Sequence, residues 1–452
     1  MVKAVAPNAP IERMAWAVLI LSFVALCGIC SMTGLGVYSF IFVSTVPINA
    51  VLDVGRGTAL VTDGDFNERG VRMGADMTGR VSLVSLDSQS QATLSFLMPQ
   101  NDDEETIPQE NFVASVTLKN SSEMRLQLAE MPRFAWTQSV YHIILRDVMG
   151  RMDVVIGNSI QRPFLMEIYT ANGKLVYLNG AGRYVIDASA EHVKVITYEG
   201  EAVMFSSQRD INRIVPKGTE GILYGERNDP TLRETRINVV DNGLFVFDIS
   251  TTDNLATALP GRWGCLTIQA DMPRGQYTVG LWEGRSALRL VRTDNANNHG
   301  ETRCLQPIDP AKQDISGYNY LELESSFLLN FQSLSDCGVQ GSECPMMLRM
   351  TYTDINGNPQ EWFQGFYYTT DPILQYPPRC ASCSQDHLQI NEKVWYTFES
   401  GNLFNSIPTA IRPAIINSVE FYASGHQYDV FVSEISVFVG VADVVPDVSS
   451  TN

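Results

Sequence analysis

Histidine, basic residues and catalytic signatures are all scarce in this chain, and each scarcity excludes something. Only five histidines are spread over 452 residues, and 32 Lys plus Arg face 50 Asp plus Glu, a net charge of −18. So acidic a chain is a poor match for a nucleic-acid polyanion. His142, His192, His299, His387 and His426 occur singly, and the sequence has no H-E-x-x-H, G-x-S-x-G, Walker loop or dinucleotide fingerprint. It therefore reads as non-enzymatic. Glu322 and Glu324 would share one face of a strand, a spacing that acid–base chemistry can use. Solvated neighbours are the better reading of them, and a hydrolase would need convergent carboxylates in a cleft. Charged residues make up only 18% and hydrophobic ones 45%, which excludes a disordered tail and leaves enough apolar surface for a large core.

Long hydrophobic runs are also rare, and the sequence has one. No charge occurs from Met14 to Leu52, and Trp16 to Val43 is almost wholly apolar or small. About 20 such residues cross the hydrocarbon of a bilayer. Lys3 and Arg13 precede the run and Asp53 follows it, so the positive-inside rule places the N-terminus in the cytoplasm and the bulk of the chain outside. The rival is a cleaved signal peptide, whose apolar core is normally about half as long. The expected division is a cytoplasmic tail over 1–13 and a transmembrane anchor over 14–46, single-pass in the cell membrane.

After Pro47 the pattern turns to short β-branched runs of period two, punctuated by Gly, Asn and Asp, with no long amphipathic helix. Val81–Leu86, Ala92–Leu97 and Val113–Leu118 are examples, and Asn172-Gly173 and Glu199-Gly200 read as turns. The acidic stretch Asn101–Glu105 reads as a solvated turn. The pattern breaks over 227–235 and resumes from Ile237, which predicts an all-β fold of two units, 47–226 and 236–445, joined by a linker and ending in a tail over 446–452.

The elements Gly150–Ile156, Phe164–Thr170, Gly182–Asp187, Val193–Val203 and Val215–Gly218 resemble the FecR-type periplasmic domain family over residues 50–225. Arg183 and Tyr184 stand where that family usually has Thr and Phe. The resemblance implies the fold and an extracytoplasmic location. It does not extend to sigma-factor control, because about thirteen residues before the span cannot build the cytoplasmic domain that engages a sigma factor. Residues 236–445 are similar to the galactose-binding-like jelly roll of many carbohydrate-binding modules, through Asn242–Phe245, Gly261–Gly264, Ser286–Leu290, Glu301–Gln306 and Val430–Ile435.

Six cysteines lie beyond the apolar run, and an even number on an exported unit reads as disulfides. Cys337 with Cys344, Cys380 with Cys383, and Cys265 with Cys304 are the expected pairs. A zinc site of Cys337, Cys344, Cys380 and Cys383 is the alternative. Aromatic residues concentrate in the same unit, where exposed rings stack on sugar faces while polar side chains bond the hydroxyls. Core filling competes for the same rings. The candidate ligand-binding residues are Trp282, Trp362, Tyr368, Trp395, Arg292 and Asn298, with Asp294 and Glu301 as candidates for a structural calcium and no other cofactor expected.

These readings converge on a noncatalytic, membrane-anchored extracytoplasmic binding or assembly protein of the cell envelope. The expected partners are the membrane through 14–46, a glycan or an envelope protein, and a second copy through edge strands. The alternative is a transmembrane sensor of FecR type without its own anti-sigma domain.

Overall fold

The computed structural model describes residues 9–441 apart from 65–66, 99–111, 135, 138, 158–161, 207–211, 226–228, 235, 246–248, 252–253, 269–271, 283–284 and 375. The acidic stretch 101–105 and the tail 446–452 lie outside the described residues. The architecture is all-β beyond one N-terminal helix, Ala9–Tyr38, which runs into a π-helical turn at Ser39–Val43. Among the described residues one segment, Met14–Val43, is long and apolar enough to cross a membrane, and none of it is buried against the protein. Helix gives way to strand slightly earlier than the sequence suggested, because Thr45–Pro47 already pairs with Glu130–Pro132.

Strands from Thr45–Pro47 to Thr231–Glu234 form one 17-stranded sheet that curls around an apolar core. Two long antiparallel strands, Phe112–Pro132 and Tyr141–Ile156, tie it together. The first pairs with three further strands, Thr45–Pro47, Ser82–Leu86 and Gln91–Leu97. The second pairs with Phe164–Thr170 in parallel and with Gly182–Ala188 antiparallel. Alternation places Val116, Leu118, Met152 and Val154 inside, and Thr117, Lys119, Arg151 and Asp153 on the other face. At the turns foreseen in the sequence, Gly173 (φ +80°) and Gly200 (φ +86°) take a backbone that a Cβ would disfavour. The span expected as a linker, 227–235, instead contributes the strand Thr231–Glu234, which pairs with Thr219–Ile222. Its apparent break in pattern reflects edge exposure, since all four of its residues are exposed.

From Ile237 onward the chain forms two further sheets packed face to face. One contains Gln276–Trp282, Arg285–Arg292, Tyr428–Gly440, Tyr320–Gln332 and Trp395–Glu399, with Ile237–Asn238 beside Tyr428–Gly440. The other contains Ser250–Thr251, Gly264–Ile268, Gly300–Pro307, Pro413–Gly425, Met346–Asp354, Pro359–Tyr367 and Leu388–Gln389. Between them lie Phe245, Trp263 and Phe421, then Phe327, Phe366, Tyr396 and Phe398, in tilted and edge-on ring contacts of 4.6–6.3 Å. Leu321 and Leu323 also point into this core, which turns Glu322 and Glu324 to the opposite face of their strand.

Candidate functional site at the junction of the two β units

That opposite face is covered. The outer face of Tyr320–Gln332, Trp395–Glu399 and Tyr428–Gly440 carries Glu322, Glu324, Glu399 and Glu434, and the 17-stranded sheet sets Lys119, Arg151, Asp153 and Arg183 against it. Arg183 donates to Glu324 at 2.8 Å and also pairs with Glu434. Arg151 reaches Glu399 at 2.8 Å and Glu324 at 3.6 Å, while Lys119 bridges Asp153 and Glu399. Arg236 adds a 3.5 Å pair to Glu322 and lies over the Tyr320 ring at 3.3 Å. Arg183 also lies over Tyr198, which stacks on Phe438 at 4.7 Å.

Neutral hydrogen bonds extend this seam. The Gln91 amide donates to the Thr397 carbonyl and accepts from the Thr397 N–H, both at 2.8 Å. Asn391 donates from its side chain to the carbonyls of Val54 (2.7 Å) and Arg72 (3.0 Å), and from its N–H to Gly55. Glu322 and Glu324 are therefore not solvated neighbours, as their spacing suggested. They are 2% and 1% exposed, and arginines from outside their own sheets partner them.

Among the described residues four cations face five carboxylates in this network, one negative charge in excess. Glu324 absorbs the imbalance. Burial first, then the charge of Glu399, push its carboxyl up to about 8 against the pull of Arg183 and Lys119. Burial also works against the charged form of Glu399, but Lys119 and Arg151 outweigh it and hold that carboxyl below its ordinary range. Lys119 and Arg183 are disfavoured by burial too, yet their carboxylate partners hold both strongly protonated.

A pH dependence follows from the sign of the Glu324 shift. The folded chain holds this proton more tightly than the unfolded one, so stability falls as pH rises between about 4.5 and 8. For one proton the slope is at most about 1.4 kcal/mol per pH unit. Glu324→Gln is expected to flatten that part of the profile in urea unfolding measured across this window. An unchanged slope would remove Glu324 as its source.

A cleft of about 430 Å³ opens beside the network, lined by Tyr198, Glu199, Lys217, Arg236, Asn238, Asp241, Asn242 and Phe438 among others. Lys217 is exposed, Asp241 pairs with Lys312, and the half-buried Tyr198 ring, backed by the buried Phe438, provides an apolar wall. Carboxylates, amides, cations and rings thus converge on a space of ligand size.

The residues singled out from sequence lie elsewhere and do not form one open surface. Trp362 is 3% exposed, packed near Phe398 inside the sandwich, and Tyr368 packs against the same core while its hydroxyl accepts from the Gln332 N–H at 3.0 Å. Trp395 is buried with Ala287, Leu328 and Phe431, and Trp282 stacks on Phe431 at 4.2 Å. Arg292 is also buried, donating to the carbonyls of Pro273, Asn298 and His426 and to Oδ1 of Asn298. Arg292 and Asn298 therefore clasp a loop, and core filling has won for Trp362 and Trp395.

The calcium candidates have other tasks. Asp294 is exposed in a turn at φ +60°, and Glu301 lies 3.4 Å from Arg303 and 3.6 Å from His299. All three expected disulfides are present, Cys265–Cys304, Cys337–Cys344 and Cys380–Cys383, which leaves no thiolates for the alternative zinc site. Cys337 and Cys344 also adjoin His387, the one metal-like grouping among the described residues. Its imidazole is already occupied, accepting from the Gly365 N–H at 3.0 Å and donating to the Gly341 carbonyl at 2.7 Å.

Lys119, Arg151, Asp153, Arg183, Glu399 and Glu434 were not among the residues expected to matter. The available signal was a polar row alternating with core residues on long strands, which by itself reads as a solvent face.

No family model matches the chain, and neither does any curated protein. The FecR-type resemblance thus has no family model behind it. Solved structures that superpose include the family 11 carbohydrate-binding module of the cellulosomal cellulase Lic26A-Cel5E of Clostridium thermocellum (11% identity, 42% of this chain and 95% of that one, TM-score 0.22). The CBM22-1 xylan-binding domain of Paenibacillus barcinonensis Xyn10C is another (11% identity, 47% and 99%, TM-score 0.23). A candidate anti-sigma factor from Parabacteroides distasonis superposes at 13% identity over 27% of this chain and 51% of that one, with a TM-score of 0.20, so that this chain spans about half its length. Superpositions of this quality speak to neither ligand nor activity.

Proposed function

We propose that this chain is a noncatalytic binding protein of the cell envelope, held in the membrane by its N-terminal helix and taking a hydroxyl-rich ligand, a glycan, in the cleft between its β units. The cleft carries the reading, because the Tyr198 ring lines it beside the exposed Lys217 and the half-buried Asn242 and Asp241, while internal bonds to Ser436, Val240 and Val437 hold the Asn238 side chain in its wall. Sugar recognition uses this mixture, with an apolar face for the ring and fixed polar groups for the hydroxyls. Three disulfides support an oxidising compartment for the β units, and Lys3 and Arg13 support a cytoplasmic N-terminus.

The test is retention of the detergent-solubilised full chain on a glycan array, with Lys217→Ala and Asn242→Ala alongside. Each substitution is expected to weaken a retained glycan about tenfold, the loss of one polar contact worth roughly 1–2 kcal/mol. No retained glycan, or retention that both variants leave intact, would sink the proposal.

A further inference from the structure

The apolar helix does not end in empty space. Phe40, in the π-helical turn that closes it, meets Phe134 edge-on at 5.6 Å, and Phe134 stacks on Trp136 at 4.8 Å. The Arg133 guanidinium lies over the Phe40 ring at 5.3 Å. Backbone and side-chain bonds fasten the contact, since the Arg133 N–H donates to the Ser44 carbonyl at 3.1 Å and the Ser139 hydroxyl to the Phe42 carbonyl at 3.0 Å. Despite these contacts the rings face outward. Trp136 is 66% exposed and Phe40 54%. With Phe134 between them they make one contiguous ring patch, and contiguous apolar patches mark contact surfaces.

Length decides where the cluster sits. Met14–Val43 is 30 residues, about 45 Å of helix at 1.5 Å per residue, against about 30 Å of hydrocarbon. If the run is centred on the hydrocarbon, roughly its last six residues lie at the acyl boundary and in the outer headgroup layer. They carry Tyr38, Phe40 and Phe42, and through Phe40 they carry Phe134 and Trp136. Aromatic rings with one apolar body and one polar edge are favoured at that depth, and a guanidinium beside them meets phosphate.

We infer that Trp136, with Phe134 and Arg133, is a second point of membrane contact, seated in the lipid headgroup and acyl boundary of the outer leaflet beside the helix exit. The inference rests on the reading of Met14–Val43 as a membrane span. The Thr45–Pro47 pairing fixes the helix exit to the sheet, but one helix alone leaves the tilt of the β units against the bilayer open. A ring cluster from the strand end at Pro132 makes a second attachment and sets their tilt against the bilayer.

The test is fluorine NMR of the full chain labelled with fluorotryptophan in lipid nanodiscs, reading all six tryptophans and assigning Trp136 by its loss in Trp136→Phe. A lipid bearing a nitroxide near its headgroup and a water-soluble paramagnetic agent are added in turn. Trp136 is expected to lose most of its intensity to the lipid nitroxide and to be spared by the aqueous agent, while Trp263, enclosed in the sandwich core, stays sharp under both. Trp136 broadened only by the aqueous agent while Trp16 responds to the lipid would overturn the membrane contact and leave the span intact. If Trp16 also ignores the lipid, the span reading fails and the contact fails with it.

Discussion

Arg183→Ala is expected to lose about 3–5 kcal/mol of stability, the cost typical of removing one partner from a buried ion pair. Arg183 joins Glu324 and Glu434 while lying over Tyr198, so its removal leaves the Glu434 carboxylate without its cation and Glu324 without its nearest guanidinium donor. Glu324 retains a 3.6 Å approach from Arg151, but Glu434 has no second ion-pair partner among the described residues. The seam between the β units should weaken before either core does. Calorimetry of the full chain in detergent should therefore show one unfolding transition for the unaltered protein and a split or broadened one for the variant. A replacement that melts as the unaltered chain does would mean that the network contributes little to holding the units together. Arg183→Lys keeps the charge but loses the fork that serves two carboxylates at once, so it should recover only part of the loss.

Removing the Cys265–Cys304 bond should cost a comparable amount. Both cysteines are fully buried, they face each other across Gly264–Ile268 and Gly300–Pro307, and they are 39 residues apart. The chain-entropy account assigns a loop of that length roughly 4 kcal/mol, and a loop as short as that of Cys380–Cys383 under about 2 kcal/mol. The double variant Cys265→Ala/Cys304→Ala should accordingly shift the denaturant midpoint about twice as far as Cys380→Ala/Cys383→Ala. Equal shifts would mean that the long loop is already ordered in the unfolded chain.

Much of this fold could be read from the residues. Period-two alternation marked most strands, though it stopped short on the long ones. Val113–Leu118 proved to be part of Phe112–Pro132, because the polar residues Lys119–Glu123 that seemed to end it form an irregularity where the register shifts, with Asn120 and Ser121 at positive φ. Two disulfides close short loops, so nearness along the chain suffices to pair them. Alternation divides the side chains of Trp362–Tyr368 between two faces, but nothing in that pattern says which face is core. Trp362 and Phe366 turn into the sandwich, and Phe363 and Tyr367 pack beneath the disulfide-bonded loops.

The junction was not legible, for a definite reason. Alternation through Tyr320–Ser325 tells that Glu322 and Glu324 leave the core, and a face that leaves the core reads as wet. What dries it is Arg183, 141 residues away from Glu324 along the chain. A local pattern holds no record of so distant a partner, and charge balance shows the excess carboxylate only once all members are in place.

The two long strands have a mechanical consequence. Phe112–Pro132 begins among the central pairings of its sheet, passes Lys119 at the ion-pair seam, and ends at Pro132 against Thr45 beside the helix exit. Beyond the irregularity at Lys119–Glu123 the strand stays paired with Tyr141–Ile156 as far as Glu130, through further register shifts between Glu123 and Arg125 and between Leu126 and Leu128. One backbone thus joins the ion-pair seam to the strand that follows the apolar helix, so a displacement at Lys119 is passed through the ladder with Tyr141–Ile156 to the pairing with Thr45–Pro47.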